Sequence, residues 1–144
     1  MAALSAAADT SVLIAAILEN EPQHAACRNL VDRGGLKVWG HAMAELFSTL
    51  TGGRHGWRAT PATASELIDD LQAQEVRFLD LCATDVAEAI RHAQVVGARG
   101  GAVYDYLHLV AARRAGARFF YTLNVRHFAA VSRAGDPQIL SPEL

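Results

Sequence analysis

Short, continuous apolar runs alternate along the chain with longer segments that have helical spacing. We predict strands at the apolar runs 4–8, 36–39, 76–81, 118–122 and 138–140. Paired helical segments separate the first four strands, and one shorter helix precedes the fifth. Strands that alternate with helices form a mostly parallel sheet covered on both faces. The pattern therefore predicts one α/β domain over residues 1–144, a three-layer α/β/α architecture with a central sheet of four to five strands.

Local signals mark where several of these helices begin. Thr10 and Ser11 can cap the first helix, and Thr60-Pro61 has the residue types that favour a helix start. Thr84 is the expected N-cap of the fifth helix. Pairs of glycines end the second and third helices, because glycine adopts the left-handed conformation that helix ends favour.

Composition narrows the class of protein. At 51% hydrophobic and 19% charged residues, the 144-residue chain can bury a substantial core. No apolar run is long enough to span a membrane, and the N-terminus lacks a basic start and carries Asp9 in its apolar part. Cys27 and Cys82 are isolated, which gives no zinc or disulfide pattern. We therefore expect a cytoplasmic protein without a signal peptide.

Charge is distributed unevenly along the chain. Residues 1–90 hold 12 acidic and 6 basic side chains, whereas residues 91–133 hold seven arginines and one acid, Asp105. A basic segment suits a polyanionic partner such as nucleic acid. Arginines on solvated helix faces would give the same count, so charge alone leaves both interpretations open.

Polar residues follow or neighbour several predicted strands. Asp9 follows the first strand, Glu45 lies on the helix after the second, and Asn124 follows the fourth. Ligands of open parallel sheets collect beyond the carboxyl ends of the strands, so these positions are candidates for a site. Asp9 could instead cap a helix, and Glu45 could belong to a solvated face with Ser48 and Thr49.

Asp105 gives the sharper signal, because its helical neighbours Ala102, Leu109 and Ala112 are apolar. A carboxylate on an apolar stripe is costly to bury unless it is paired or bound to metal. Carboxylates that converge at one sheet edge repel one another, and Mg²⁺ would offset that repulsion. Such a site could activate water against a phosphodiester. The chain has no Walker A loop, dinucleotide fingerprint or HExxH zinc motif.

Three segments together resemble the PIN-domain ribonucleases, and in particular the VapC-type toxins of type II toxin–antitoxin systems. They are "AADTSVLIAAI" near the N-terminus, "HAMAELFSTL" in the middle and "GGAVYDYLHLVAARRAGARFFYTLNVRHF" near the C-terminus. The resemblance covers essentially the whole chain in order and spacing. Its most specific part is a helical Asp followed, about twenty residues on, by a strand that ends in Thr-x-Asn.

The resemblance implies that Asp9, Glu45 and Asp105 are the catalytic and metal-binding acids. It places Asn124, as a further catalytic residue, where many relatives have a fourth Asp, and it matches Thr10 or Ser11 to a small hydroxyl residue beside the first Asp. The implied cofactor is Mg²⁺, with Mn²⁺ as a possible substitute. The implied activity is cleavage of tRNA or rRNA, in structured or single-stranded loops, by a homodimeric toxin that a cognate antitoxin inhibits.

Substrate contacts are predicted at residues around these acids. Arg99 and Arg126 would bind the RNA backbone, and Ser11 and Thr122 would contact the substrate at the rim of the site. Arg54, Trp57 and Arg58, in a glycine-rich loop, could add contacts, including base stacking. Trp57 could equally belong to a small satellite core.

Other classes fit the sequence less well. A receiver domain needs adjacent acids after the first strand and a late lysine, but Asp9 is alone and the one lysine is Lys37. A dehalogenase-type phosphatase would have Asp-x-Asp where this chain has Asp9-Thr10-Ser11. A PIN-fold DNA nuclease and a non-catalytic PIN-fold nucleic-acid-binding protein remain alternatives, the second because Asn124 removes one acid.

Overall fold

The computed structural model describes residues 5–53 and 56–143, and its centre is a five-stranded sheet. Every pair of neighbouring strands is parallel, in the order β3-β2-β1-β4-β5. The first strand therefore lies in the middle of the sheet. The strands are β1 (Ala6–Ala8), β2 (Lys37–Trp39), β3 (Arg77–Leu79), β4 (Phe119–Tyr121) and β5 (Gln138–Leu140).

Helices connect the strands in the predicted order. They are α1 (Thr10–Ile17), α2 (His24–Asp32), α3 (Ala42–Gly52), α4 (Pro61–Ala73), α5 (Ala83–Arg91), α6 (Ala102–Arg114) and α7 (Val125–Ala130), with a 3-10 turn at Ala93–Val96. The three-layer α/β/α prediction is confirmed. No helix in the described ranges is long and apolar enough to cross a membrane.

The central strand β1 consists of three buried alanines, and its residues alternate between two cores. Ala6 and Ala8 join one core with residues of α1 and α2, whereas Ala7 joins the other core with residues of α6 and with Phe120. Because alanine adds almost no side-chain volume, helices can pack closely on both faces of the middle of the sheet.

Two of the predicted helix starts are wrong and one is confirmed. Asp9, not a hydroxyl residue, occupies the N-cap position of α1. Cys82 precedes α5, and the Asp85 carboxylate accepts a hydrogen bond from its backbone N–H at 3.0 Å, so Thr84 lies inside the helix. Thr60 caps α4 as predicted, since its hydroxyl accepts from a backbone N–H in the first turn at 3.2 Å.

The segment after β4 forms the short helix α7. Arg126 and His127 therefore lie on this helix. Phe128 is almost completely buried and packs against Phe120, with ring centroids 4.8 Å apart. This contact fixes α7 to the core.

Candidate active site

The carboxyl ends of β1 and β4 meet at the point where the strand order reverses. From β1 the chain crosses to β2 on one side, and β4 returns to the other side, with Ala8 opposite Tyr121. Connections that leave a parallel sheet in opposite directions open a crevice there, which is where such sheets bind ligands. Asp9 and Thr122 are the first residues beyond these two strand ends.

Two hydroxyl groups hold the Asp9 carboxylate. The Ser11 hydroxyl donates to Asp9 Oδ1 at 2.6 Å, and the Thr122 hydroxyl donates to Asp9 Oδ2 at 3.0 Å. The hydroxyl oxygens in turn accept hydrogen bonds from backbone N–H groups, Ser11 from Leu123 at 3.1 Å and Thr122 from Asn124 at 2.9 Å. The loop after β4 is thereby tied to the acid that follows β1.

This arrangement corrects the substrate-binding role predicted for Thr122. Its side chain is completely buried and its hydroxyl is used within the protein, so it positions Asp9 and cannot reach a substrate. The Ser11 hydroxyl is likewise engaged by Asp9 and by a backbone N–H, although Ser11 is less buried. Both hydroxyls therefore act through the carboxylate.

Burial raises the pKa of Asp9 above its ordinary value. The hydrogen bond from Ser11, the attraction of His108 and the hydrogen bond from Thr122 oppose the shift without cancelling it. A positive charge placed beside such a carboxylate would stabilise its ionised form and lower its pKa.

Glu45 lies in the first turn of α3, beside hydrogen-bond donors from two other helices. The Thr10 hydroxyl donates to its Oε1 at 3.1 Å, and His108 Nε2 donates to the same oxygen at 3.2 Å. Burial pushes the pKa of Glu45 upward, but the hydrogen bond and charge of His108, the hydrogen bond from Thr10 and the charge of His41 together leave the pKa below its ordinary value. Glu45 is therefore ionised at neutral pH.

His108 is the central residue that sequence reasoning missed. It is 4% exposed, lies edge-on to the rings of Trp39 and Phe128, and its Nδ1 is buried without a hydrogen-bond partner among the described residues. The pKa values of Asp9, Glu45 and Asp105 all respond to it. A signal was present, since His108 lies three residues after Asp105 and so shares its helix face.

Asp105 is half-buried in the first turn of α6. Burial raises its pKa, and the neighbouring charge of Glu45 adds to that shift, while His108 and His127 oppose it. No protein group in the described ranges donates a hydrogen bond to it, so it is the least restrained of the three acids.

The remaining predicted residues lie at the surface. Asn124 is exposed at the N-cap position of α7, and its side chain makes no capping hydrogen bond. Arg99, in the turn before α6, and Arg126, on α7, are exposed, as are Trp57 and Arg58. Arg54, also predicted to contact RNA, lies outside the described residues. The roles of these side chains remain predictions.

The acids have the oxygen atoms that a divalent cation prefers, but the three side chains lie too far apart to ligate one ion directly. Within residues 5–53 and 56–143, no three Asp, Glu, His or Cys side chains stand close enough to ligate one ion directly. The donors are nevertheless all carboxylate oxygens, burial raises the pKa of Asp9 and Asp105, and no described arginine or lysine pairs with them. Mg²⁺ keeps several waters and needs few protein ligands, so this set fits it.

Open parallel sheets bind their ligands where the strand order reverses, and the acids at that place have the oxygen atoms that a divalent ion prefers. The chain belongs to the PIN domain family, whose model matches residues 6–134. A comparison with curated protein sequences gives no match. PIN domains are generally metal-dependent nucleases and typically use ions such as Mg²⁺.

Proposed function

We propose that this chain is a Mg²⁺-dependent endoribonuclease and the toxin of a toxin–antitoxin pair. The observation that carries the nuclease proposal is the grouping of Asp9, Glu45 and Asp105 around His108, at the point where the strand order reverses. Buried or partly buried acids that face the same histidine from separate elements are costly for stability, and such a cost is typical of a functional site.

The three acids have distinct roles in this proposal. Asp9 and Asp105 would hold the ion, directly or through water, and a bound ion would supply positive charge near the phosphate and lower the pKa of water. Glu45, kept ionised, orients the attacking water and accepts its proton. His108 and Thr10 position Glu45 through their hydrogen bonds to Oε1.

The basic segment supports RNA as the substrate. Arg99 and Arg126 are both exposed. Arg99 lies in the turn before α6, which carries Asp105, and Arg126 lies on α7, directly after Asn124. Arginine side chains at these places suit the phosphate groups on either side of a cut. Asn124 has an amide oxygen that can accept a hydrogen bond from water, but it adds no charge to the site.

A cleavage assay tests the nuclease proposal. Single-stranded and hairpin RNA, and DNA of the same sequences, are incubated with Mg²⁺ or with EDTA. We expect Mg²⁺-dependent cleavage of RNA, and a loss of about a hundredfold or more in Asp105→Asn. Asp69→Asn, an exposed acid on α4, is the matched control. Equal cleavage by wild type and Asp105→Asn would refute the mechanism, and cleavage of DNA alone would favour the DNA-nuclease alternative.

The toxin role rests on the resemblance carried by the three sequence segments, and it includes a homodimer, an inhibitory antitoxin and a tRNA or rRNA target. Induction in a bacterial host should arrest growth for wild type but not for Asp105→Asn at equal protein level. Mapping of RNA ends after brief induction should give one or a few sites in tRNA or rRNA. Cleavage in vitro without growth arrest would leave the nuclease and remove the toxin.

A further inference from the structure

Three aromatic rings form one stack beside Glu45. The Trp39 ring lies nearly parallel to the His41 ring, with centroids 4.7 Å apart and an interplanar angle of 25°. The His41 ring also stacks on the Tyr104 ring, with centroids 5.3 Å apart and an interplanar angle of 10°. Trp39 ends β2, His41 immediately precedes α3 and Tyr104 lies in the first turn of α6, so three separate elements build the stack.

Exposure increases along the stack. Trp39 is 9% exposed, whereas Tyr104 is 49% exposed and forms the outer end. The inner end is fixed, because Trp39 meets the buried ring of His108 edge-on at 5.2 Å. A large ring held flat and left half in water forgoes the burial that stabilises most aromatic side chains. The outer face of Tyr104 is thus a rigid, flat and apolar surface.

We infer that the outer face of Tyr104 binds an unpaired nucleobase of the RNA; this inference rests on the proposed function. Bases of single-stranded RNA stack on aromatic side chains, and each such stack strengthens binding roughly tenfold to a hundredfold. One ring face matches the area of one base. It is far smaller than the surface that a stable protein partner would bury.

The position of the stack relative to the acids sets which base it binds. Tyr104 immediately precedes Asp105 along α6, and His41 Nε2 lies 4.0 Å from Glu45 Oε1. The stack therefore lies beside Glu45, and a base on Tyr104 would belong to the RNA segment that reaches the acids. The stack positions the substrate, and it would restrict cleavage to RNA segments whose bases are unpaired.

Binding of oligoadenylate tests the inference without catalysis. A labelled single-stranded chain of about twelve nucleotides is compared with a chain of abasic ribose phosphate of equal length. Both are titrated in EDTA with fluorescence anisotropy as the readout. The ratio of the two affinities isolates the contribution of the bases, because both chains carry the same charge.

We expect this ratio to fall roughly tenfold in Tyr104→Ala and in Tyr104→Leu, which lack the ring, and to stay at the wild-type value in Tyr104→Phe. Phe47→Ala removes a comparably exposed ring outside the stack, 41% exposed, and should leave the ratio unchanged. Melting temperatures show whether each variant is folded.

An unchanged ratio in folded Tyr104→Ala, or an equal fall in Phe47→Ala, would overturn the inference. A loss of affinity for both chains alike would also overturn it, because that result indicates a general structural effect. The assay contains no metal and measures no cleavage. Its failure would therefore leave the Mg²⁺-dependent nuclease standing, and a failure of cleavage would leave the stacking result standing.

Discussion

Asp9 and Asp105 carry the same chemical group, and burial raises the pKa of both, but the protein holds them differently. Asp9 accepts one hydroxyl on each carboxylate oxygen, and backbone N–H groups hold both hydroxyls. Asp105, half-buried on α6, accepts no hydrogen bond from the described residues. One carboxylate is therefore fixed before any ligand arrives, and the other is free to adjust.

From this difference we expect Asp9 and Asp105 to have different roles in binding a cation. A ligand fixed by a network determines where a cation binds, because moving it would break several buried hydrogen bonds. An acid without partners can shift to complete the coordination when substrate enters. Among the described residues, no three acids stand within ligating distance of one point.

Removal of the fixed acid should have the largest effect. We expect Asp9→Ala to reduce Mg²⁺-dependent RNA cleavage by a hundredfold or more, since the proposed metal site would lose the acid that the protein holds most firmly. Initial rates at saturating Mg²⁺ measure the loss. Asp80→Asn is the control, because Asp80 follows β3 as Asp9 follows β1 but is exposed at the edge strand. A similar loss in both variants would show that the effect is not specific to the site.

The hydroxyls of Ser11 and Thr122, which donate to the two oxygens of Asp9, form a clamp on this acid. Removal of one clamp hydroxyl should have an intermediate effect. Thr122→Val keeps the buried shape but leaves the Asn124 N–H without its acceptor and Asp9 Oδ2 without its donor. We expect a loss of about 1–3 kcal/mol in the free energy of unfolding, and a roughly tenfold loss of activity. Chemical denaturation and initial rates measure the two losses. Thr122→Ser restores the hydroxyl, and an equal loss of activity in that variant would contradict a clamp.

Replacement of the adjustable acid should stabilise the protein in the absence of metal. The pKa of Asp105 is higher in the folded protein than in the unfolded chain. As the pH rises from below the lower of these two pKa values to above the higher, the unfolded chain releases its proton first, so the free energy of unfolding decreases. Asp105→Asn removes that penalty, so its melting temperature should exceed that of wild type by a few degrees at neutral pH in EDTA. Below both pKa values, near pH 3, the difference should vanish.

A melting curve series across pH measures this effect. Mg²⁺ should then raise the melting temperature of wild type more than that of Asp105→Asn, because the ion would attract the ionised carboxylate whose burial is otherwise unfavourable. A lower melting temperature for Asp105→Asn at neutral pH without metal would indicate that Asp105 has a stabilising partner. Asp105 would then be held as firmly as Asp9.

Restoration of a fourth acid should have the smallest effect. Asn124→Asp adds a negative charge at the exposed N-cap position of α7, and we expect a severalfold gain in Mn²⁺ affinity. Titration calorimetry of the metal alone measures it. Unchanged affinity would place Asn124 outside the electrostatic reach of the ion.

The order of strands and helices could be predicted because local signals mark each element. Thr60-Pro61 begins α4 where expected, and Gly53, in the left-handed conformation, follows the end of α3. The strand order within the sheet was not predicted, because it depends on packing between residues far apart in sequence. The central place of β1 is therefore a result of the structure.

The candidate site was predictable where residues follow strands and less so where they are buried in helices. Asp9 lies where the strand pattern placed it, and Asp105 is half-buried as its apolar neighbours indicated. The role of His108 was missed because α6 buries residues on most of its circumference, so no polar position stands out from the pattern. The clamp role of Thr122 requires knowing that β4 adjoins β1.

The all-alanine strand β1 bears on how natural or selected variants of this protein should be interpreted. Ala7 touches no substrate in any of these proposals, yet a larger side chain there would press apart the two layers that meet at the middle of the sheet, at a typical cost of 1–3 kcal/mol. The same displacement would move Asp9, two residues on. An inactivating variant in β1 would therefore report on the spacing of the layers, and a genetic screen would place it beside the active-site variants although it removes no functional group.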